Sequence, residues 1–407
     1  MKADAGQGRQ TVLIVASTYP RWPGDGEPGF VHELARRLVD KYRVVVLAPN
    51  APGAKRRENM DDVEIWRYRY APRRWETLVH GGGMLQQLRK SPWKWLLLPT
   101  FAAGQVFAVS RALRLVRPAL IHAHWSIPQG VLVAIARELS FSRVPLGVTS
   151  HGADVMGLSG SFYSLMRRWL RRQCAFWTVV GPALAERLVR ERVGRSAADF
   201  PMIPMGVDLF SRFTRDGKPQ ARDINQVLYV GRLVPGKGLD VLVDAMKLVR
   251  QRHPDARLLL VGDGPLKQAL KGRIAKLDLD RCVQFAGSLG NAALPPVYRR
   301  ACVHAAPFTL PQGFGLTLIE SVGCGCPVVT TPFSAAPNIG IGSPMVEIVD
   351  AGDVPALANA LSDRLGGEPP EWQMEGAIAT LRDRYDWRVV TENYRAQYRM
   401  ALREAAA

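Results

Sequence analysis

Short apolar runs alternate with amphipathic helical patterns along most of the chain. In the first half, the runs that predict strands are VLIVAS, RVVVLAP, ALIHAH, PLGVTS and FWTVV. Stretches such as PGFVHELARRLVD and PQGVLVAIAREL fit helices between them, because their apolar residues recur at steps of three and four. This alternation is typical of parallel α/β sheets with helices on both faces.

The pattern restarts near residue 226 with QVLYVG, ARLLLVGD, VQFAG, VHAAP and PVVTT. The polar stretch FSRFTRDGKPQARDINQ that precedes it lacks strand signals and is predicted to be a linker. A chain of 407 residues is also longer than one core usually organises. We therefore expect two doubly wound units, residues 1–215 and 216–385, that face one another across a cleft. Ligands of such sheets bind at the carboxyl ends of the strands.

Residues 84–116 do not follow this alternation of strands and helices. The stretch is largely apolar and carries two tryptophans and basic residues at its edge. A transmembrane helix is not expected, because Lys94, Pro99 and Gln105 break the apolar run of about 20 residues that a span needs. Two interpretations remain open. The stretch is either a pair of core helices or a surface element that dips into lipid headgroups.

The formal net charge of +18 is concentrated in the first half of the chain. Residues 1–215 carry 32 Lys and Arg against 16 Asp and Glu, a net of +16, whereas the remainder carries 22 against 20, a net of +2. No helix-turn-helix, zinc-finger or RNP signature accompanies this charge, so an anionic membrane surface is predicted and nucleic acid is not. The five scattered cysteines fit a reducing, cytoplasmic compartment. The apolar run near the start favours a first strand over a secretory signal.

The stretch LYVGRLVPGKGLDVLVDAM raises the possibility of a phosphate site. Gly231, Gly236 and Lys237 fit the spacing G-x-x-x-x-G-K of ATPase phosphate loops. However, Gly238 stands where those loops place a Ser or Thr, and Pro235 removes a backbone N–H. The sequence therefore favours a diphosphate site that differs from an ATP site.

A second informative stretch is PQGFGLTLIESVGCGCPVVTT. Gly313, Phe314 and Gly315 predict a turn that opens a helix near Leu316, and the free N–H groups at a helix start bind anions. Glu320 lies about one turn into that helix, where it could accept hydrogen bonds from the hydroxyls of a sugar.

Together these stretches resemble the signature of retaining GT-B glycosyltransferases of group 1 (family 4), which use nucleotide sugars. That signature contains E-x7-E within E-G-F-G-L-x-x-x-E-A, and V-G-R-L-x-x-x-K-G nearer the start. The resemblance covers nearly the whole chain and is strongest from about 200 to 332. It implies that Arg232 and Lys237 clamp the diphosphate of the donor. It also implies that Gly231, the turn and helix start at 313–316, and Glu320 bind the nucleotide sugar.

Resemblance also extends to the first half, where VTSHGADV matches the H-G-x-D motif of the family. It implies that His151 lies beside the reacting sugar, and that a final helix at 386–407 returns to the first domain. His122 and His124 would share one face of a strand, but no third ligand is evident, so no metal site is predicted.

The activity implied by the resemblance is transfer of a hexose from a UDP- or GDP-linked sugar to a lipid-linked or polysaccharide acceptor at the cytoplasmic membrane face. The anomeric configuration would be retained. No cofactor beyond the donor substrate is expected, and no D-x-D pair stands in a donor-site position to call for a metal.

One residue departs from the family pattern. Gln312 occupies the position of the first glutamate of E-x7-E, while Glu320 is intact. Two explanations stay open: Gln312 tunes the site for a particular sugar, or it marks lost catalysis. The alternatives to a transferase are accordingly a non-catalytic scaffold or binding protein and a nucleotide-sugar epimerase. The sequence does not specify the sugar, the acceptor, the linkage or the oligomeric state.

Overall fold

The computed structural model describes residues 8–25, 29–80, 83–215, 221–312, 314–333 and 344–406. The contacts within the chain divide it into two compact units. Unit 1 comprises Met1–Pro204 together with Val390–Ala407, and unit 2 comprises Met205–Val389. Each is described separately below.

Unit 1 is built on a seven-stranded sheet in the order β3-β4-β2-β1-β5-β6-β7. All neighbouring strands are parallel except β3 and β4, which are antiparallel. The strands are β1 (Thr11–Val15), β2 (Arg43–Pro49), β3 (Arg57–Met60), β4 (Val63–Tyr68), β5 (Leu120–His124), β6 (Leu146–Ser150) and β7 (Phe176–Val179).

Helices connect these strands, as expected for parallel pairs, which need long crossover connections. The α-helices of this unit are α1 (Phe30–Leu38), α2 (Met84–Lys90), α3 (Leu97–Val116), α4 (Val131–Leu139), α5 (Ala153–Met156), α6 (Ser161–Gln173) and α7 (Pro182–Arg190).

Unit 2 contains a six-stranded parallel sheet in the order β10-β9-β8-β11-β12-β13. Its strands are β8 (Asp223–Val230), β9 (Arg257–Val261), β10 (Val283–Gly287), β11 (Ala301–Ala306), β12 (Val328–Thr330) and β13 (Val346–Ile348). Its α-helices are α8 (Leu239–Arg252), α9 (Lys267–Lys276), α10 (Leu294–Arg300), α11 (Leu316–Gly323), α12 (Val354–Arg364) and α13 (Glu371–Tyr385).

Both faces of the second sheet are covered, which explains why its strands are continuous apolar runs. Along β8, Val227 and Tyr229 belong to one hydrophobic cluster, whereas Leu228 and Val230 belong to another. Successive side chains of a strand point to opposite faces, so the two clusters lie on opposite sides of the sheet.

The strand order of each sheet reverses at one point, between β1 and β5 in unit 1 and between β8 and β11 in unit 2. At such a point the connections leave the two neighbouring strands in opposite directions, and a crevice opens outside their carboxyl ends. The two doubly wound units predicted from the sequence are confirmed, and the crevices mark where ligands are expected in each.

The division between the units differs from the predicted boundary at residue 215. Residues 205–215 group with unit 2, because Leu209 and Phe213 are buried in its hydrophobic core. The sequence placed the boundary within the polar stretch that begins at Phe210, and composition alone does not show that Phe213 packs into the core of unit 2. Residues 216–220, within the predicted linker, lie outside the described residues.

The last helix, α14 (Trp387–Ala406), contributes to unit 1 from Val390 onward, which confirms the predicted return to the first domain. The Tyr398 hydroxyl lies 2.8 Å from Nδ1 of the buried His122, whose Nε2 lies 2.7 Å from Oγ1 of Thr149. Arg395 donates to the backbone carbonyl of Arg37 over 2.7 Å and pairs with Asp40. Polar contacts therefore fix the helix against the sheet and α1.

The apolar stretch 84–116 forms α2, a short 3-10 helix at Pro92–Leu96, and α3. One face of α3 is buried, while the side chains of Trp93, Trp95, Leu96 and Phe107 are exposed. The stretch therefore has a buried face, as a core helix does, and exposed apolar side chains. Contact of this surface with lipid headgroups stays a prediction.

By length and composition, one helix within the described residues, Pro92–Val116, could cross a membrane; its most apolar window has a mean hydropathy of 1.4 and is 33% buried. The two polar residues that argued against a span are held inside unit 1. Lys94 donates to Gln87 Oε1 over 2.6 Å. Gln105 accepts from Tyr68 at 3.2 Å and donates to the carbonyl of Gln129 at 3.2 Å.

Three strands were not predicted. The sequences of β3 and β4, RENM and VEIWRY, are short and rich in charge. They lie at one edge of their sheet, where one side of the strand pair meets no further strand and charged side chains are common. Strand β13 has only three residues, which is too short for a periodic signal.

We predict that Tyr398→Phe lowers the free energy of unfolding by about 1–2 kcal/mol, because it leaves Nδ1 of the buried His122 without its partner. Urea unfolding measures this change. The matched control is Tyr163→Phe on the half-buried face of α6, which should change stability by less than about 0.5 kcal/mol. Equal effects of the two substitutions would contradict the role given to the His122 contact.

Candidate functional site

Two loops meet at the crevice of unit 2, one after β8 and one after β11. The carbonyl oxygen of Gly236 accepts hydrogen bonds from the backbone N–H of Thr309, over 3.1 Å, and of Leu310, over 3.3 Å. Since β8 and β11 are adjacent strands at the point where the strand order reverses, their following loops necessarily start side by side. The G-x-x-x-x-G-K stretch therefore lies where a ligand is expected.

Gly238 explains why this loop differs from an ATPase phosphate loop. Its φ is +67°, and a Cβ at this position would lie 1.7 Å from the carbonyl oxygen of Pro307. No residue other than glycine fits that approach, so a Ser or Thr cannot occupy the position. Gly238 is also the N-cap of α8, which begins at Leu239.

Lys237 is half-buried between these loops. Its Nζ donates to Oε1 of Gln312 over 2.7 Å and lies 4.7 Å from the centre of the Phe308 ring. Burial and, to a lesser degree, the positive charge of Arg232 lower the pKa of Lys237 to about 8. Within the part of the chain that the structure describes, Lys237 forms no ion pair. An anionic ligand would therefore supply the counter-charge that the protein does not.

Arg232 stands at the start of the same loop with an exposed side chain. The preceding residue, Gly231, donates its N–H to the carbonyl of Val261 over 2.9 Å, and the hydroxyl of Tyr229 donates to the carbonyl of Arg232 over 3.1 Å. The loop backbone is thus held at both ends of Arg232, and the positive charge of Arg232 contributes to the lowered pKa of Lys237.

Gln312 contacts both loops through its side-chain amide. Besides accepting from Lys237, it donates from Nε2 to the carbonyl of Leu310, over 2.6 Å, and to the carbonyl of Gly236, over 3.3 Å. Both N–H groups of the amide are engaged in this way. Lys237 and Gln312 are therefore in direct contact, and their role in binding a donor stays a prediction.

Helix α11 begins at Leu316 after Gly315, whose φ of +92° favours glycine. The first N–H groups of a helix have no partner within it and favour anions. The ring of Phe314 is buried against Tyr385, with 5.8 Å between ring centres, so its side chain belongs to the core. Gly313 lies outside the described residues.

Glu320 is buried between α11 and α10. Its Oε2 accepts a hydrogen bond from the hydroxyl of Tyr298 over 3.0 Å. Burial raises the pKa of Glu320 to about 7, although the Tyr298 hydroxyl and the charge of Arg212 act in the opposite direction. The carboxyl group therefore changes its charge near neutral pH instead of remaining ionised.

His151 belongs to unit 1, directly after β6 and beside the end of β5. Its Nε2 lies 2.9 Å from Nδ1 of His124, and the ring centres of His122 and His124 are 4.3 Å apart. Burial, followed by the charge of His122, lowers the pKa of His151 to about 3; burial also lowers the pKa of His122 and His124 far below 6.5. The three rings are neutral at physiological pH.

The loop that carries His151 is held by a buried carboxylate and a buried guanidinium. Asp154 Oδ1 accepts from the N–H groups of His151 and Gly152, each over 3.1 Å, and Oδ2 accepts from Ser126 N and Oγ, each over 2.7 Å. Arg167 donates to the carbonyls of Asp154 and Leu158, each over 2.8 Å. His151 is therefore held in one backbone position.

Among the described residues no group of three or more His, Cys, Asp or Glu could hold a metal ion. His122 is hydrogen-bonded to Tyr398 and Thr149, and His124 to His151. Both histidines of β5 therefore take part in hydrogen bonds within unit 1.

Sequence analysis missed three side chains that shape these sites: Tyr298, Phe308 and Asp154. The last had a signal, since it is the acidic residue of the H-G-x-D pattern, three positions after His151. Tyr298 and Phe308 had none, because their relation to Glu320 and Lys237 depends on the pairing of elements distant in sequence.

Because burial raises the pKa of Glu320 from 4.5 to about 7, the folded state binds its proton more tightly than the unfolded state. The resulting stability is present below pH 4.5 and is lost as the pH rises through about 7. We predict that, between pH 5 and pH 8, the wild type loses up to about 3 kcal/mol of unfolding free energy relative to Glu320→Gln. Urea unfolding at both pH values measures the difference, with Glu375→Gln on the exposed face of α13 as control. Parallel pH profiles for the wild type and Glu320→Gln would contradict the assignment.

Two protein-family models match the chain. The family model described as Glycosyltransferase Family 4 matches residues 29–210, and the model described as Glycosyl transferases group 1 matches residues 224–366. The second range contains the whole of the Lys237, Gln312 and Glu320 region, and the first contains His151.

Two curated relatives come from mycobacteria. The GDP-mannose-dependent alpha-(1-6)-phosphatidylinositol monomannoside mannosyltransferase of Mycolicibacterium smegmatis is 29% identical over 375 residues, which is 87% of this chain and 89% of that protein. The phosphatidyl-myo-inositol mannosyltransferase of Mycobacterium tuberculosis is 30% identical over 269 residues, which is 64% of this chain and 68% of that protein.

Among solved structures, sucrose-phosphate synthase from Thermosynechococcus elongatus superimposes with a TM-score of 0.74 at 20% identity, covering 98% of this chain and 100% of that one. At this identity the likeness concerns the fold. With both family models and the M. tuberculosis relative, the comparisons establish that the chain belongs to the group 1, family 4 glycosyltransferases and has the GT-B fold.

Proposed function

We propose that the protein transfers a hexose, with retention of anomeric configuration, from a nucleoside-diphosphate sugar to a lipid-linked or polysaccharide acceptor at the cytoplasmic membrane face. GDP-mannose is the first donor to consider, because the M. smegmatis relative is named as GDP-mannose-dependent. Retention is part of the proposal because the signature that the chain resembles is that of retaining enzymes.

One observation supports the assignment of the donor site to the crevice of unit 2. The Lys237 ammonium is half-buried at the crevice of unit 2 and contacts a neutral amide instead of a carboxylate. Leaving a buried cation without a counter-charge costs free energy, and an anionic ligand offsets that cost. The diphosphate of a nucleotide sugar matches this site in charge, with Arg232 and the start of α11 as further positive groups.

In the proposed reaction the bond between the sugar C1 and the diphosphate oxygen breaks, and a bond from C1 to an acceptor hydroxyl oxygen forms. The proton of that hydroxyl passes to the departing diphosphate. Negative charge develops on the departing diphosphate, where Arg232 and Lys237 stabilise it. In this proposal Glu320 is the hydroxyl-binding group of the donor site. A role of His151 in hexose binding is supported by the resemblance of VTSHGADV to the family's H-G-x-D motif. No metal and no cofactor are part of this proposal.

The membrane part of the proposal rests on the surface of unit 1. Trp93 and Trp95 are about half exposed, and the Trp93 ring packs edge-to-face on Trp75, with 6.4 Å between ring centres. Exposed Arg74 lies over the Trp75 ring, and Arg89 is also exposed close by in sequence. Aromatic rings flanked by basic groups suit the headgroup layer of an anionic membrane. The phosphatidylinositol-based names of the relatives agree with an acceptor at that surface.

A second candidate function is binding of the nucleotide or the glycan without catalysis. It is motivated by Gln312, which lacks the negative charge that the family signature places at this position. A nucleotide-sugar epimerase is a third, which would rearrange the donor without an acceptor.

A panel of nucleotide sugars with and without membrane extract distinguishes these functions. We expect transfer of radiolabelled hexose to lipid-extractable or polymeric product only when extract is present, with full activity retained in excess EDTA. Donor rearrangement without extract would indicate an epimerase. Binding without turnover of any donor, especially if Gln312→Glu then became active, would indicate a protein that has lost catalysis.

Lys237→Ala is predicted to lower kcat/KM by a factor that corresponds to about 2–4 kcal/mol of transition-state stabilisation. The physical reason is loss of the ammonium group that neutralises the leaving diphosphate. Lys247→Ala, an exposed lysine on the adjacent helix α8, is the matched control and should leave kcat/KM unchanged. Near-wild-type transfer by Lys237→Ala would show that the donor binds elsewhere.

Binding to vesicles tests the membrane surface. We predict cosedimentation with phosphatidylglycerol-containing vesicles, little binding to pure phosphatidylcholine, and release by high salt, because each well-placed basic residue contributes about 1 kcal/mol that salt screens. Replacing Trp93 and Trp95 together by Ala should weaken binding several-fold, whereas Trp372→Ala in unit 2, at 71% exposure, should not. Equal binding to neutral and anionic vesicles, or no binding to either, contradicts the proposal.

A further inference from the structure

The three hydrogen bonds of the Gln312 side chain determine which way its amide points. The Oε1 atom faces the ammonium group of Lys237, at 2.7 Å, and Nε2 faces two carbonyl oxygens, at 2.6 Å and 3.3 Å. Exchanging the two amide atoms would place a donor against an ammonium and an acceptor against two carbonyls. Every contact would become unfavourable, so the hydrogen-bond network fixes the orientation.

A carboxylate would not satisfy the same environment. Glutamate could accept from Lys237, but its second oxygen would face the carbonyl oxygens of Leu310 and Gly236 with no hydrogen to share. Two acceptors at such distances repel one another unless the carboxyl group is protonated. In this chain the surroundings of position 312 therefore fit the hydrogen bonds of an amide. The glutamate of the family signature could not make the same contacts.

The carbonyl oxygen of Gly236 links this amide to the position of Lys237. It accepts from Nε2 of Gln312 and from the backbone N–H groups of Thr309 and Leu310, all in the loop after β11. Lys237 is the next residue along the chain, and its ammonium lies over the ring of Phe308 in the same loop. The backbone N–H of Gln312 in turn donates to the carbonyl of Phe333 over 2.6 Å. Gln312 is thus anchored on one side and holds the lysine loop on the other.

We propose that Gln312 is a positioning residue that joins the loops after β8 and β11 and orients the Lys237 ammonium toward the diphosphate of the donor. This inference rests on the proposed function, because it needs a diphosphate at the site. Because both N–H groups of the amide are already engaged, Gln312 has no hydrogen left to donate to a sugar hydroxyl.

The test is a double-mutant cycle on GDP and UDP binding, measured by titration calorimetry on the full chain. Gln312→Met keeps the length of the side chain but removes all three hydrogen bonds, and Lys237→Met removes the charge. We expect each single change to weaken binding of the preferred nucleoside diphosphate about tenfold or more. In the Lys237→Met background, Gln312→Met should add less than about twofold, because the residue acts through the lysine. Independent, multiplying effects would overturn the proposal.

Gln312→Glu is the second arm. It restores the residue of the family signature, yet we expect it to weaken binding about as much as Gln312→Met. Binding by Gln312→Glu that equals or exceeds the wild type would also overturn the proposal. Gln268→Met, an exposed glutamine on α9, is the matched control and should bind as the wild type does.

Thermal unfolding of each variant separates loss of fold from loss of positioning. A variant that retains its thermal midpoint but loses affinity supports the proposal, and a variant whose affinity changes only as its midpoint falls does not. A wild type that binds neither GDP nor UDP would overturn the proposed function itself. A wild type that binds one of them, with no coupling between Gln312 and Lys237, would overturn this inference alone.

Discussion

Among the residues that the structure describes, no carboxylate pairs with the half-buried ammonium group of Lys237, and the candidate site of unit 2 is organised around this constraint. Burial and the positive charge of Arg232 make the charge of Lys237 costly. The Phe308 ring and the amide oxygen of Gln312 stabilise the ammonium, but neither brings a negative charge. The folded protein tolerates this because the ammonium remains partly accessible to solvent. A site of this kind gains most binding free energy from a ligand that brings negative charge. The packing of the two loops therefore favours recognition of a diphosphate.

The loops can hold the lysine there only because the backbone approaches itself so closely. Gly238 passes the carbonyl of Pro307 with no room for a side chain, and Gly236 offers its carbonyl to three donors of the opposite loop. Both glycines follow β8, whose neighbour at the reversal of the strand order is β11. The strand order therefore brings the two loops together, and the glycines let their backbones approach closely. This close approach places the charge of Lys237 at the crevice.

Much of the fold and part of the candidate site could be predicted from the sequence. The features that could not be predicted have physical reasons. The alternation of apolar runs and helical patterns predicted both sheets, because buried parallel strands are continuous apolar runs. It failed for the edge strand β3, which is short and charged, and for its neighbour β4, where the buried Val63 and Ile65 alternate with polar or larger side chains instead of forming a continuous apolar run. The glycine spacing predicted a phosphate-binding stretch that contains Lys237, and the family resemblance added Arg232. It could not predict the contact of Lys237 with Gln312, or of Glu320 with Tyr298, because those pairs meet only through tertiary packing.

The central claim is that the crevice of unit 2 binds the diphosphate of a nucleotide sugar. A crystal structure of the protein with bound GDP or UDP tests it most directly. The account predicts a phosphate oxygen about 3 Å from Nζ of Lys237, with the diphosphate directed at the first turn of α11. A nucleotide bound elsewhere, with Lys237 still contacting only Gln312 and Phe308, would contradict it.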